Sequence, residues 1–135
     1  MTEKPSAGKG SLDQRRAKHA WEVVQRVNTI PDKDKNKKVD FRRQAKRLPV
    51  QIVTSGLGQA LAFLKAKDYA PDLQDAVRDW MNTRIPVTAG GSPDLVERIV
   101  NGDSDFLRRA TDEVLAYMQW LTRFAEANLP KDDQQ

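Results

Sequence analysis

The sequence predicts an all-α fold, a single-domain bundle of five or six helices with a long kinked central helix. Three observations predict it. Apolar residues recur at three- and four-residue spacing through most of the 135 residues. No stretch alternates apolar and polar residues convincingly enough for a strand. Val50-Gln51-Ile52-Val53 comes nearest, and it keeps helical phase with both its flanks. The periodic segments are separated by Ser, Pro, Asn and Gly placed where helices start and stop.

Residues 1–10 carry Pro5, Ser6, Gly8 and Gly10 with no apolar period, and read as a flexible tail. The bundle takes residues 11–129, and 130–135 form a polar tail. Ser11 is placed to cap a first helix with the stripe Ala17, Ala20, Trp21, Val24 and Val27. Thr29-Ile30-Pro31-Asp32 ends it. Residues 32–38 read as a charged loop, and a second helix starts near Val39-Asp40.

Phe41, Ala45, Leu48, Ile52, Gln59 and Phe63 keep one stripe across Pro49. That phase predicts one long helix kinked at the proline. A second stripe beyond Pro49, Val53, Leu57, Ala60 and Leu64, predicts burial nearly all round, as in the central helix of a bundle. Asp68-Tyr69-Ala70-Pro71 breaks the chain before a short helix marked by Leu73, Ala76, Val77, Trp80 and Met81. A loop follows through Pro86, Gly90 and Gly91. Ser92-Pro93-Asp94-Leu95 supplies a cap and a first-turn proline for another short helix, stopped at Asn101-Gly102. Ser104 is placed to cap the last helix, whose broad apolar face includes Phe106, Leu107, Ala110, Val114, Tyr117, Met118, Leu121, Phe124 and Ala125. It ends near Leu129-Pro130.

Composition narrows the function. No run approaches the ~18 apolar residues of a membrane span, and the N-terminus lacks the apolar core of a secretory signal. With no Cys there are no disulfides, thiolate metal sites or Cys nucleophile, which fits a reducing cytoplasm. One His leaves zinc sites and most triads without their usual parts. Residues 1–47 hold 14 Lys/Arg against 6 Asp/Glu, a net of +8; the remainder holds 9 against 13, a net of −4. A basic third on a mildly acidic body suits a polyanion or an acidic protein face.

No catalytic constellation emerges. Asp72, Asp75, Asp79, Asp112 and Glu113 are expected on exposed helix faces, and His19 on the polar face of the first helix. Gly56-Leu57-Gly58 lacks the spacing of a dinucleotide or phosphate loop, and reads as two small residues admitting a close neighbour. The feature that stands out is basic. Arg15, Arg16, Lys18 and Arg26 of the first helix, with Arg42, Arg43, Lys46 and Arg47 of the second, are candidates for a surface that grips a phosphate backbone. No aromatic residue interleaves them to stack bases.

Three ordered blocks spanning about residues 12–129 then carry a resemblance: Gln14-Arg15-Arg16-Ala17-Lys18-His19-Ala20; Leu48-Pro49-Val50 with Ser55-Gly56-Leu57-Gly58-Gln59-Ala60-Leu61-Ala62-Phe63-Leu64; and Leu115-Ala116-Tyr117-Met118-Gln119-Trp120-Leu121-Thr122-Arg123-Phe124-Ala125-Glu126-Ala127. Together they resemble the small subunit of type III-B (Cmr-module) CRISPR effector complexes. Residues 83–102 match no firm pattern of that family. The resemblance implies an all-α, non-catalytic subunit without cofactor or metal. Its copies stack in a minor filament beside the backbone subunits, near the large subunit, and help line the channel for guide and target RNA. For such stacking, Asp72, Asp75 and Asp79 offer an acidic patch for a neighbour's basic third, and Leu115, off the apolar stripe, offers a second contact. The alternative is a free-standing helical nucleic-acid-binding regulator. Its recognition helix after Gly90-Gly91 would have only Glu97, Arg98 and Asn101 to read bases.

Overall fold

A computed structural model describes residues 10–132. Most of the two tails expected at 1–10 and 130–135 lies outside the described residues. Six helices follow in order: α1 (Leu12–Asn28), α2 (Lys35–Ser55), α3 (Leu57–Lys67), α4 (Pro71–Arg84), α5 (Leu95–Asn101) and α6 (Ser104–Asn128), with one 3-10 turn at Asp32–Asp34. No strand occurs among the described residues.

Helix α6 organises the bundle, with α1 and α2 as its main partners. On α1, Arg16 meets Glu113 and His19 meets Tyr117. On α2, the Ala45 carbonyl meets Thr122 and Lys46 meets Glu126. Glu113 and Thr122 are nine positions apart, as are Tyr117 and Glu126. Nine residues is about two and a half helical turns, so the two pairs point to opposite sides of α6. The basic helices α1 and α2 therefore stand on opposite flanks of α6. Between them and α4 lies one core, built around Phe41, Leu48, Leu64, Leu73, Met81, Tyr117, Met118 and Leu121.

The caps explain several boundaries. Ser11 accepts from the Gln14 backbone N–H while the Gln14 side chain accepts from Ser11, a full capping box. Helix α2 begins earlier than expected, at Lys35, because the 3-10 turn leads straight into it. Asp94 caps α5 and Asp103 caps α6, one or two residues away from the serines expected there. An ionised carboxylate on the first-turn amides also favours the helix dipole.

The central helix differs from expectation in two respects. Helix α2 runs through Pro49 to Ser55, and the break comes at Gly56. Pro49 has no N–H, so the Ala45 carbonyl loses its ordinary partner. The Thr122 hydroxyl of α6 donates to that oxygen at 2.9 Å. Gly56 has φ 90° and ψ 155°, a conformation essentially reserved for glycine, and there the chain turns into α3. All-round burial beyond Pro49 does not occur. Leu57, Ala60, Leu61 and Leu64 are buried, but Val50 and Val53 are 66% and 76% exposed, because the redirected α3 leaves that side of α2 uncovered. Trp21, expected in the core stripe, is 46% exposed and rests edge-on against Phe124. Among the described residues, no helix is long and apolar enough to cross a membrane.

Candidate nucleic-acid interface

The eight cations singled out in the sequence fall into three groups. Arg15, Lys18, Arg26 and Arg47 are exposed, with no ion-pair partner among the described residues. Lys46 and Arg43 are partly committed. Lys46 lies 4.0 Å from Glu126, while Arg43 bonds Asp40 at 3.3 Å and Asp132 at 2.7 Å. Arg16 and Arg42 are turned inward. Because α1 and α2 flank α6 on opposite sides, the exposed members form two basic faces rather than one.

Arg16 belongs to a buried charge cluster. Its Nε donates to Glu113 Oε2 at 2.7 Å and its Nη2 to Glu113 Oε1 at 3.0 Å, a bidentate pair. Trp80 Nε1 donates to Oε2 at 2.8 Å, and Arg84 Nε to Oε1 at 3.3 Å. Glu113 is 7% exposed, not on the open face expected of it. Burial raises the pKa of its carboxyl. The Arg16 and Trp80 hydrogen bonds and the Arg16 and Arg84 charges outweigh burial and hold it below the usual range. Arg16 is held correspondingly high by its hydrogen bonds to Glu113.

Arg42 is 6% exposed, and its Nε has no hydrogen-bond partner. It lies one turn after Lys38, which is also buried and donates to the Asn28 carbonyl at the end of α1. The expectation that Arg42 faces away from the core with Lys46 and Arg47 is corrected. The outward face of α2 carries Arg43, Lys46 and Arg47 around its middle and Val50 and Val53 toward its C-terminal end.

His19 is half-buried, not on the open polar face. Its ring packs against both Trp80 and Tyr117, at centroid distances of 5.4 and 5.3 Å, while those two rings stack on each other at 5.6 Å; its Nδ1 lies 2.7 Å from the Tyr117 hydroxyl. Burial lowers the His19 pKa, with Arg26 adding to the effect against the opposing charges of Asp79 and Glu22. The neutral ring and the Tyr117 hydroxyl share one hydrogen bond, whose direction follows the ring tautomer. Burial also pushes the Tyr117 phenol far up.

Asp75 and Asp79 of the expected acidic patch both bond Arg78, at 3.2 Å each, while Asp72 is exposed in the first turn of α4. Leu115 is partly buried against the core rather than outstanding, and lines an open groove with Pro49, Met118 and Trp120. An added methyl at Gly58 would touch Ile99 of α5 at 3.4 Å, whereas one at Gly56 would touch nothing. Gly58 thus faces α5 at ordinary contact distance, and neither glycine is required by a close neighbour. No group of three His, Asp or Glu among the described residues is arranged to hold a metal ion. The convergence of Arg16, Arg84 and Trp80 on Glu113 is missed by the sequence reading. Its one signal there is that Glu113 keeps helical phase with the buried Ala110 and Tyr117.

Residues 12–128, from the first residue of α1 to the last of α6, match the family described as CRISPR-associated protein (Cas_Cmr5). The chain belongs to that family. It is similar to the crystal structure of a CRISPR-associated Cmr5 family protein from Thermus thermophilus, at 25% identity over 90% of this chain and 100% of that chain, with a TM-score of 0.73. It is accordingly a small subunit of a type III-B Cmr complex. That match runs across residues 83–102, for which the sequence offered no firm pattern of the family; they take in the end of α4, the loop after it and α5.

Proposed function

We propose that this Cmr small subunit is a non-catalytic structural component that stacks with further copies of itself beside the backbone and large subunits. In that place it lends exposed cations to the channel for guide and target RNA. One observation carries the reading: Arg15, Lys18, Arg26 and Arg47 stand exposed without acidic partners among the described residues, with Lys46, next to Arg47, only loosely held. Such cations suit phosphate contacts, which position a strand without reading its bases. Arg16 and Arg42 are assigned to the fold instead. The non-catalytic reading is supported by the buried titratable groups: Glu113 is saturated by two guanidinium groups and an indole, and His19 by Tyr117. Asp72 and the Pro49–Leu115 groove are the surfaces proposed for stacking. A cytoplasmic location follows from this role.

The test is purification of the complex through a tag on this chain, followed by protein and RNA identification. Reversal of Arg15, Lys18, Lys46 and Arg47 to Glu is expected to weaken target-RNA binding. Each lost contact should make the log–log salt dependence shallower by roughly 0.7–0.9. Unchanged binding and slope would overturn the interface.

A further inference from the structure

The unassigned feature with the most convergent chemistry lies where α1, the end of α4 and the first half of α6 meet. Four arginines, Arg16, Arg84, Arg108 and Arg109, line one small polar cavity of about 230 Å³ together with Asp112 and Glu113. Arg16, Arg84 and the Arg108–Arg109 pair come from three positions far apart in the chain, so the fold, not local sequence, gathers them. The cavity is smaller than the roughly 300–1,000 Å³ that organic ligands take.

Its acids leave donors free. Both oxygens of Glu113 are already shared among Arg16, Arg84 and Trp80. Asp13 bonds Arg16, and Asp105 bonds Arg108 at 2.8 Å, with Asp112 more loosely at 3.9 Å. Among the described residues Arg84 is held through its Nε alone, which leaves both its terminal amines without a partner there. Arg109 has no partner among the described residues. Anchoring one edge of Arg84 to a buried carboxylate fixes the direction of the other edge. A second guanidinium on the same cavity then suits a small tetrahedral oxyanion, which accepts from planar forks on two sides.

We propose that this cavity is a phosphate-binding site, with Arg84 and Arg109 as its principal donors, Arg108 at its rim, and Arg16 and Glu113 as the residues that position Arg84. The phosphate is either a free ion or a group of a nucleic-acid backbone. Only the second source rests on the RNA reading above, and the site is distinct from the α2 face.

The experiment follows the arginine Nε–H signals of the full-length, ¹⁵N-labelled chain by NMR. Inorganic phosphate is titrated in one arm and a short single-stranded oligouridylate in the other, with chloride at matched ionic strength as control. The expected result is a saturable shift of the Arg84 and Arg109 signals, absent with chloride and lost in Arg109→Gln. Because Arg109 is exposed and has no partner among the described residues, that variant is expected to keep its fold, which the remaining spectrum verifies. Arg84→Gln should lose the same response. Saturation by phosphate alone supports the site with the free ion as ligand and counts against RNA at this place. Saturation by the oligonucleotide supports the backbone source. If neither ligand saturates these signals, or Arg109→Gln responds as the parent does, the proposal is overturned.

Discussion

The Glu113 cluster and the outward face of α2 are both rich in arginine, yet the fold uses them in opposite ways. At Glu113, Arg16 and Arg84 surround a carboxylate removed from water, and the hydrogen bonds offset the desolvation of the charges. On α2, Lys46 and Arg47 are exposed beside Val50 and Val53, with Lys46 only loosely held by Glu126. A cation's partner, rather than its presence, decides whether it serves the fold or a neighbour. Removing a charge from the first region should therefore cost stability. Removing one from the second should cost association.

The largest expected effect is at Glu113. Glu113→Ala leaves Arg16, Arg84 and the Trp80 N–H without their acceptor, and should cost about 3–5 kcal/mol in urea unfolding. The pH dependence sharpens this. The folded state holds Glu113 below its ordinary pKa. Its contribution is complete above the unfolded value of about 4.3 and is lost as pH falls through the folded one. His19 is also lowered, so the folded state favours its neutral ring. Its contribution is present above the unfolded value of about 6.5 and is lost as pH falls through its own folded value. Stability should thus fall in two acid steps. Glu113→Gln should remove the lower step and His19→Leu the upper. A single step unaffected by either change would argue against both assignments.

The next effect tests the seam between α2 and α6. Thr122→Val strips the Ala45 carbonyl of its remaining donor and should cost roughly 1–3 kcal/mol. In a Pro49→Ala background the new N–H can reach the same carbonyl, so the Thr122→Val penalty should shrink. A double-mutant cycle with no coupling energy would show that the 2.9 Å contact does not compensate the proline.

The two glycines should then respond in opposite directions. Gly56→Ala forces a Cβ into a backbone state reserved for glycine, and should cost about 1–3 kcal/mol. Gly58→Ala makes ordinary contact with Ile99 and should gain up to about 1 kcal/mol from helix propensity. Thermal unfolding of the two variants separates the role of conformation from that of packing.

The smallest effect on stability belongs to the exposed face. Arg47→Glu and Val53→Asp should each change folding by no more than about 0.5 kcal/mol. Both should lower RNA binding or subunit occupancy in the purified complex, counted by native mass spectrometry. A large folding defect from either would place this face in the core and dissolve the contrast with Glu113.

Much of the fold was legible because helices write their burial locally. The stripe through Phe41, Ala45, Leu48 and Ile52, the capping chemistry of Ser11 and the stop at Asn101-Gly102 each need only a few neighbouring residues to act. Less of the candidate interface could be read. Arg16 and Arg15 look equivalent in sequence, but one meets an acid 97 positions away while the other meets water. Arg42 stands next to Arg43 and is nearly buried, because the direction of α2 against its neighbours sets which flank is covered.

By itself, then, the sequence determined the helical class and the order of the segments, which depend on periodicity and short-range chemistry, and its three ordered motifs carried the resemblance to the family. Only the tertiary structure decided that the central helix breaks at Gly56, that Thr122 answers Pro49, and that α6 separates the two basic helices. It also decided which cations remain free. Charge pairing acts through space between helices, and its range along the chain has no period from which to read it.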